Sequence, residues 1–151
     1  DLSKAFDKMS HHGLFIKLMD RCIPVSLMRI LGVWFERCTT CIKWGSCLSK
    51  FYKLNCGIRQ GGVLSPYLFA VYVDSVIDKV RQCGAGCKIN MASVGILLYA
   101  DDILLVAPTV TALQTMLHVC ETELSWLDMT INPAKSVCLR IGPNWKSTPV
   151  G

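Results

Sequence analysis

Apolar residues recur every three or four positions in four stretches of the chain, and this spacing predicts amphipathic helices. The predicted helices cover about residues 13–21, 26–37, 66–80 and 110–127. Ser65 and Thr109 are the predicted N-caps of the last two helices, because a hydroxyl side chain accepts a hydrogen bond from an otherwise free backbone amide. Pro66 suits the first helical position, and Asp7 is the predicted cap of the first helix.

Runs of apolar residues bounded by turn formers predict the strands. Two hairpins would pair residues 38–44 with 50–56 around Gly45-Ser46, and residues 94–98 with 103–107 around Tyr99–Asp102. Shorter strands are predicted at Lys88-Ile89 and Ser136–Ile141. The continuous apolar runs of the second hairpin are typical of strands that bury both faces. Strands that alternate with helices and return to one sheet predict an α+β fold.

Two adjacent carboxylates, Asp101 and Asp102, lie at the predicted tip of the second hairpin. Ionised aspartates beside buried strands are costly unless a cation or hydrogen-bond donors hold them. Exposed oxygen ligands on a rigid turn suit a divalent metal ion. An ordinary turn is the alternative interpretation, since aspartate is common in turns of every kind.

The bulk properties limit the class of protein. At 151 residues the chain forms one domain or most of one. The sequence contains no run of about 18 uncharged apolar residues, so it predicts no membrane span. The chain does not begin with Met, so we expect it to be a piece of a longer reading frame. The net charge of +5 is modest and compatible with a polyanionic partner. The basic residues are dispersed, with local groups at Lys43, Lys50, Lys53 and Arg59 and at Arg140 and Lys146.

Nine cysteines, an odd number, do not suggest the paired framework of a secreted protein. The spacings Cys38-x2-Cys41 and Cys83-x3-Cys87 would allow two halves of a zinc site. Free, buried cysteines in a reducing compartment are the favoured interpretation, because the other cysteines share no spacing. His11 and His12 are predicted to lie in a solvated turn, and the sequence predicts no histidine metal site.

The segment Gly57–Pro66 is a glycine-bearing loop that leads into the third predicted helix. Gly61 lacks a side chain and allows a close approach by a backbone or a nucleotide. Arg59 supplies a cation, and Gln60 supplies a neutral donor and acceptor. A plain junction between loop and helix is the alternative. Ser65 is better explained as the helix cap than as a catalytic serine, because no hydrolase triad pattern surrounds it.

Together, four ordered blocks resemble the palm region of reverse transcriptases from non-LTR (LINE-type) retrotransposons. The blocks are Asp1-x3-Ala5-Phe6-Asp7, Arg59-Gln60-Gly61-x3-Ser65-Pro66-x-Leu68-Phe69, Tyr99-Ala100-Asp101-Asp102 and Ile131-Asn132-x2-Lys135-Ser136. They extend over nearly the whole chain, and the second block is long and specific. The resemblance implies a polymerase palm, in which an antiparallel sheet packs on helices in a ferredoxin-like or RRM-like arrangement.

The same resemblance implies that residues 1–151 are a partial reverse transcriptase domain, truncated at both ends, with the fingers and thumb missing. The full protein would be an RNA-directed DNA polymerase, and this isolated span would be inactive. Its partners would be an RNA template, a DNA primer, deoxynucleoside triphosphates and the rest of the retrotransposon polyprotein, which often includes an endonuclease. The resemblance implies an intracellular protein, nuclear or cytoplasmic, without a membrane partner.

By resemblance, Asp1, Asp101 and Asp102 are the catalytic carboxylates that hold two Mg²⁺ ions, with Mn²⁺ as a substitute. Such ions lower the pKa of the attacking primer 3′-hydroxyl and neutralise charge on the leaving pyrophosphate. Lys135 corresponds to a family lysine that protonates or stabilises the pyrophosphate. An exposed lysine before a strand is the alternative interpretation of Lys135.

Six further residues would contact the nucleotide or the primer: Phe6, Arg59, Gln60, Gly61, Tyr99 and Ala100. Phe6 occupies the aromatic position that, in the family, closes on the sugar 2′ position and disfavours ribonucleotides. Core packing is its alternative role.

Two other functions stay open at the level of the sequence. A non-catalytic remnant or a repurposed copy would bind nucleic acid without chemistry. Another palm polymerase, such as a group II intron or retron reverse transcriptase or an RNA-templated RNA polymerase, would keep the same acids. Phe6 disfavours the synthesis of RNA, and the second block favours the LINE type.

Overall fold

The computed structural model describes residues 1–142, which form helices and short antiparallel strands. Within that range the helices are α1 (Ala5–Lys8), α2 (His11–Asp20), α3 (Val25–Glu36), α4 (Ser65–Gln82) and α5 (Val110–Trp126). The strands are β1 (Thr39–Thr40), β2 (Lys43–Trp44), β3 (Cys47–Leu48), β4 (Tyr52–Lys53), β5 (Lys88–Ile89), β6 (Ala92–Ser93), β7 (Ile96–Tyr99) and β8 (Asp102–Leu105). The predicted mixture of helices and antiparallel strands is confirmed.

Helix α4 lies at the centre of the core, because apolar residues cover a wide part of its surface. It packs against α2, α5 and β7, and Phe69 and Tyr72 on it are buried. Helix α5 presents a buried stripe that includes Met116 and Leu124. The Tyr72 hydroxyl donates a hydrogen bond to the Leu127 carbonyl at 3.1 Å, so this polar atom is satisfied inside the core.

The strands pair as four separate two-stranded antiparallel sheets, β1–β4, β2–β3, β5–β6 and β7–β8. The prediction of one continuous sheet is therefore wrong for residues 1–142. Strands β1 to β6 have two residues each, and such short strands offer too few backbone groups to recruit another neighbour. Single bridges, Leu2↔Ile131 and Ser10↔Cys56, connect distant segments instead.

Helix α2 begins two residues earlier than predicted, and Ser10 rather than Asp7 is its N-cap. The Ser10 hydroxyl accepts a hydrogen bond from the Gly13 amide at 3.2 Å. Asp7 lies inside α1 with its side chain exposed. The prediction of a solvated turn at His11 and His12 is therefore wrong, because both residues are helical.

Helix α4 includes Ser65 as its first residue, so the prediction that Ser65 is the cap is wrong. The Ser65 hydroxyl donates to the Arg59 carbonyl at 2.6 Å and is not free to accept from the helix as a cap would. The prediction for α5 is confirmed, because the Thr109 hydroxyl accepts from the Ala112 amide at 3.1 Å.

The segment predicted as the last strand, Ser136–Ile141, forms no strand in the described chain. Its first residue is held in a turn, since the Ser136 amide and hydroxyl both donate to the Asn132 carbonyl, at 3.0 and 2.8 Å. The cysteine prediction is wrong in part: all nine are free, but Cys120 alone is buried. Between residues 1 and 142, no helix has both the length and the hydropathy needed to cross a bilayer.

Candidate active site

The hairpin of β7 and β8 carries the adjacent aspartates at its turn, as the sequence predicts. Tyr99 pairs with Asp102, so Ala100 and Asp101 form a two-residue turn between the strands. Ala100 has a φ of +51°, in the left-handed region that a side chain disfavours. Such a backbone costs about 1–3 kcal/mol and persists where the surrounding structure fixes it. The first block supplies such a contact, because its Leu2 amide is hydrogen-bonded to the turn.

The first block lies directly against this turn. The Leu2 amide donates to the Asp101 carbonyl at 3.1 Å. On the other side, the Asn132 amide donates to the Asp1 carbonyl at 2.9 Å. The Leu2 side chain is buried and fixes the segment to the core. The backbone of Asp1-Leu2 is thus held between the hairpin turn and the residues that precede Lys135.

Lys135 lies beside Asp1, with its Nζ 3.4 Å from Oδ2 of the carboxylate. A tight turn sets this position, because Asn132 Oδ1 accepts from the Ala134 amide at 3.1 Å. The ion pair is largely exposed on the lysine side and contributes at most about 1 kcal/mol to stability. Sequence reasoning did not assign this positioning role to Asn132, although an Asn-Pro pair is a known turn signal.

Only one face of the β7–β8 hairpin is packed, so the prediction that both faces are buried is wrong. Ile96 is buried against α4, whereas Leu97 and Leu104 on the other face are 57% and 55% exposed. Side chains alternate between faces along a strand, and Tyr99 and Asp102 belong to the open face. The side chains of Tyr99 and Asp102 therefore point away from the core.

A cavity of about 690 Å³ lies on this open face. It brings together four of the predicted site residues, Asp1, Tyr99, Asp102 and Lys135. Leu97, Leu98, Ile103, Leu104, Ser136 and Val137 complete its lining. Asp101 is absent from this lining, although its backbone is bonded to Leu2. The arrangement combines carboxylates and an ammonium group on an apolar floor.

The nucleotide-binding loop predicted from the second block does not line this cavity. Arg59, Gln60 and Gly61 are exposed, and Gly61 has a φ of +80°. The loop is nevertheless fixed to the first block, because the Ile58 amide donates to the Phe6 carbonyl at 2.8 Å. Gly57 allows this approach, since a Cβ there would lie 2.8 Å from the Asp7 carbonyl oxygen.

Phe6 packs on the core. Its ring stacks on Phe69 with centroids 4.6 Å apart and an interplanar angle of 25°. His11 is partly buried, with its Nε2 2.7 Å from the Gly57 carbonyl oxygen and its ring 4.3 Å from that of Phe35. Both residues thus help to hold the two blocks together.

Metal ligands are not gathered into a ready site in the described part of the chain. No three or more His, Cys, Asp or Glu side chains come together there as a metal-binding group. The two cysteine pairs at 38–41 and 83–87 therefore acquire no third ligand that would support zinc among residues 1–142.

Known proteins similar to this chain point to one family. The profile of the family described as "Reverse transcriptase (RNA-dependent DNA polymerase)" matches residues 1–149. The Pol polyprotein of type-1 retrotransposable element R2 from Nasonia vitripennis is 26% identical over 150 residues, which are 99% of this chain and 14% of that protein. The corresponding R2 polyprotein from Popillia japonica is 27% identical over 143 residues, 93% of this chain and 20% of that protein.

A third relative is the RNA-directed DNA polymerase from mobile element jockey of Drosophila funebris. It is 29% identical over 103 residues, 68% of this chain and 11% of that protein. The chain thus spans a fifth or less of the length of these relatives. The chain belongs to the reverse transcriptase family, and its relatives are polyproteins of non-LTR retrotransposons.

Proposed function

We propose that this chain forms the palm part of an RNA-directed DNA polymerase that extends a DNA primer on an RNA template in retrotransposon reverse transcription. The observation that supports this most is the 3.1 Å hydrogen bond from the Leu2 amide to the Asp101 carbonyl. It brings the backbones of two sequence-distant acidic segments together beside an open cavity. Residues 1–151 would be part of a larger reverse transcriptase domain, and β7–β8 part of its ferredoxin-like sheet.

The donor chemistry at this cavity fits divalent magnesium. Asp1 and Asp102 line this cavity and Asp101 lies in the adjoining turn, and all three offer carboxylate oxygens, the ligands that Mg²⁺ prefers. Among residues 1–142 the three carboxylates are not gathered into one group, so a bound ion would have to draw them together. We propose these three residues as the ligands. When bound, two such ions activate the attacking 3′-hydroxyl and neutralise charge on the leaving group. The Lys135 ammonium lies 3.4 Å from the Asp1 carboxylate, so a metal ion there would share this carboxylate with the lysine.

The other residues of the cavity suit binding and orientation. Lys135 supplies a positive charge next to Asp1 and would stabilise the departing pyrophosphate, since an ammonium binds phosphate oxygens as a point charge. Tyr99 and Ala100, at the hairpin turn, would support the primer terminus. The exposed loop residues Arg59, Gln60 and Gly61 would contact the nucleotide, with deoxynucleoside triphosphates as substrates.

Primer extension tests the proposal. Because the chain spans 14% of the Nasonia vitripennis polyprotein, the assay uses a chimera in which this span replaces the matching segment of that protein. Asp101→Asn keeps the shape of the side chain and removes its charge. We expect Mg²⁺-dependent incorporation to fall about 1,000-fold, since metal clamps supply several kcal/mol of transition-state stabilisation.

The matched control is Asp78→Asn, which removes an exposed carboxylate from α4. This variant should retain the rate of the parent chimera. Equal rates for Asp101→Asn and the parent would refute the catalytic assignment. A parent chimera that incorporates no nucleotide would favour the second candidate function, a copy that binds nucleic acid without chemistry.

A further inference from the structure

Residues 38–56 form a hairpin arm without a core of its own. Strands β1 and β4 pair near its base, and β2 and β3 pair at its tip around Gly45-Ser46. No side chain of this arm is buried, and all but four of its residues are exposed. An isolated two-stranded hairpin is at best marginally stable in water. A partner that covers the arm would therefore stabilise it.

The charge on and around the arm has one sign. From residue 37 to residue 73 the sequence contains no Asp or Glu. The same stretch carries five cations, all of them exposed: Arg37, Lys43, Lys50, Lys53 and Arg59. An unopposed group of cations is complementary to a polyanion and unsuited to a basic or neutral surface.

Large aromatic side chains adjoin these lysines in the sequence and are open to solvent. Trp44 is 85% exposed, Phe51 71% and Tyr52 48%. Each is adjacent in sequence to a lysine, in the pairs Lys43-Trp44, Lys50-Phe51 and Tyr52-Lys53. Aromatic faces that stack bases, together with cations that follow the phosphates, are the combination that single-stranded nucleic-acid binding uses.

The two ladders of the arm differ in register by one residue. Thr40 pairs with Tyr52, and Lys43 pairs with Leu48. Two residues, 41–42, therefore face three, 49–51, which is the pattern of a β-bulge. Ser49 holds this point, since its amide donates to the Ile42 carbonyl and its hydroxyl accepts from the Ile42 amide, both at 2.9 Å. Bulges bend a strand and redirect its side chains.

We propose that this arm binds a single-stranded polynucleotide, with bases stacked on Trp44 and Phe51 and phosphates neutralised by the three lysines. Just beyond the arm, the Gly57 amide donates to the carbonyl of Met9, two residues after the first block, at 2.8 Å. A polynucleotide bound to the arm would therefore extend toward the exposed loop that begins at Arg59. This binding requires no metal and no catalysis, so it stands or falls separately from the polymerase proposal.

The test is binding of fluorescent oligouridylate to the 151-residue chain in EDTA, with an oligonucleotide longer than the ~4–16 nucleotides that such modules cover. Trp44→Ala should weaken binding about tenfold, the loss expected for one stacked base. Trp44→Phe, which keeps an aromatic face, should restore most of the affinity. Replacing Lys43, Lys50 and Lys53 together by Ala should lower the slope of log affinity against log salt by about 2.

Trp126→Ala is the matched control, because Trp126 on α5 is as exposed as Trp44, at 87%. Equal losses for the two tryptophan variants would overturn the proposal, as would unchanged affinity of Trp44→Ala or equal affinity for duplex RNA. Oligothymidylate in the same assay distinguishes RNA from DNA as the strand bound, and tight binding of either one supports the proposal.

Discussion

The chain contains two hairpins that differ in both packing and charge. The β7–β8 hairpin packs one face on α4 and α5 and carries two carboxylates at its turn. The arm at residues 38–56 buries no side chain and carries only cations. The first can hold groups at fixed positions because the core supports it. The second is suited to contact over a long, flexible ligand, where position matters less than area and charge.

The difference in packing suits the two hairpins to the two different roles proposed for them. Side chains fixed by packing keep the geometry that catalysis and metal binding need. A hairpin without a core gains stability from whatever covers it. We expect substitutions on the packed face of the β7–β8 hairpin to lower the free energy of unfolding far more than substitutions in the arm.

The largest effect is expected at the packed face of β7. Ile96→Ala removes a side chain that is 1% exposed and should lower the free energy of unfolding by about 2–5 kcal/mol, through lost burial and a cavity. Leu97→Ala, one residue along and 57% exposed, should cost less than about 1 kcal/mol. Urea unfolding of the 151-residue chain measures both, and equal losses would show that the hairpin is not packed on one face only.

A smaller effect is expected at high pH from the buried thiol of α5. Burial, with help from the charge of Glu121, raises the pKa of Cys120 to about 11 from 9.0. The folded chain keeps this proton to a higher pH than the unfolded chain. The free energy of unfolding should therefore fall between about pH 9 and pH 11, by up to about 3 kcal/mol.

Chemical denaturation across that pH range measures this loss. Cys120→Ala should reduce its pH dependence, whereas Cys47→Ala, on the exposed arm, should leave it unchanged. The same slope in all three proteins would contradict the assignment. Alkylation at neutral pH gives an independent check, because the exposed Cys47 should react long before Cys120.

The smallest effect is expected at the tip of the arm. Trp44→Ala should change the free energy of unfolding by less than about 0.5 kcal/mol, since its ring is 85% exposed. The same variant should weaken binding of a single strand, so stability and binding would separate at this residue. A loss of stability comparable to that of Ile96→Ala would mean that the arm packs on the body of the protein.

Much of the secondary structure was predictable because it depends on local patterns. Four helices follow from apolar spacing, and the turns at Gly45-Ser46 and Tyr99–Asp102 follow from the runs that flank them. The helix starts were harder, because Asp7 and Ser65 were predicted as caps, whereas Ser10 caps α2 and Ser65 is the first residue of α4. Their actual roles depend on contacts elsewhere, such as the Arg59 carbonyl that Ser65 binds.

The membership of the candidate site stays a prediction from the sequence, and its arrangement comes from the structure. The order and spacing of the four blocks identify the family, and the family match over residues 1–149 confirms it. Apolar runs alone could not show that β7–β8 leaves one face open, because the same run suits a strand buried on both sides. Nor could the apolar runs show that residues 136–141 form no strand.

The sequence by itself determined the family, the choice of three aspartates and Lys135 as candidate site residues, and the four long helices. These depend on residue identity and on neighbours a few positions apart. The tertiary structure decided which of these groups meet. The bond from Leu2 to Asp101 and the pair of Lys135 with Asp1 join segments about a hundred or more residues apart. Such contacts form only after the core around α4 has fixed the distances between segments.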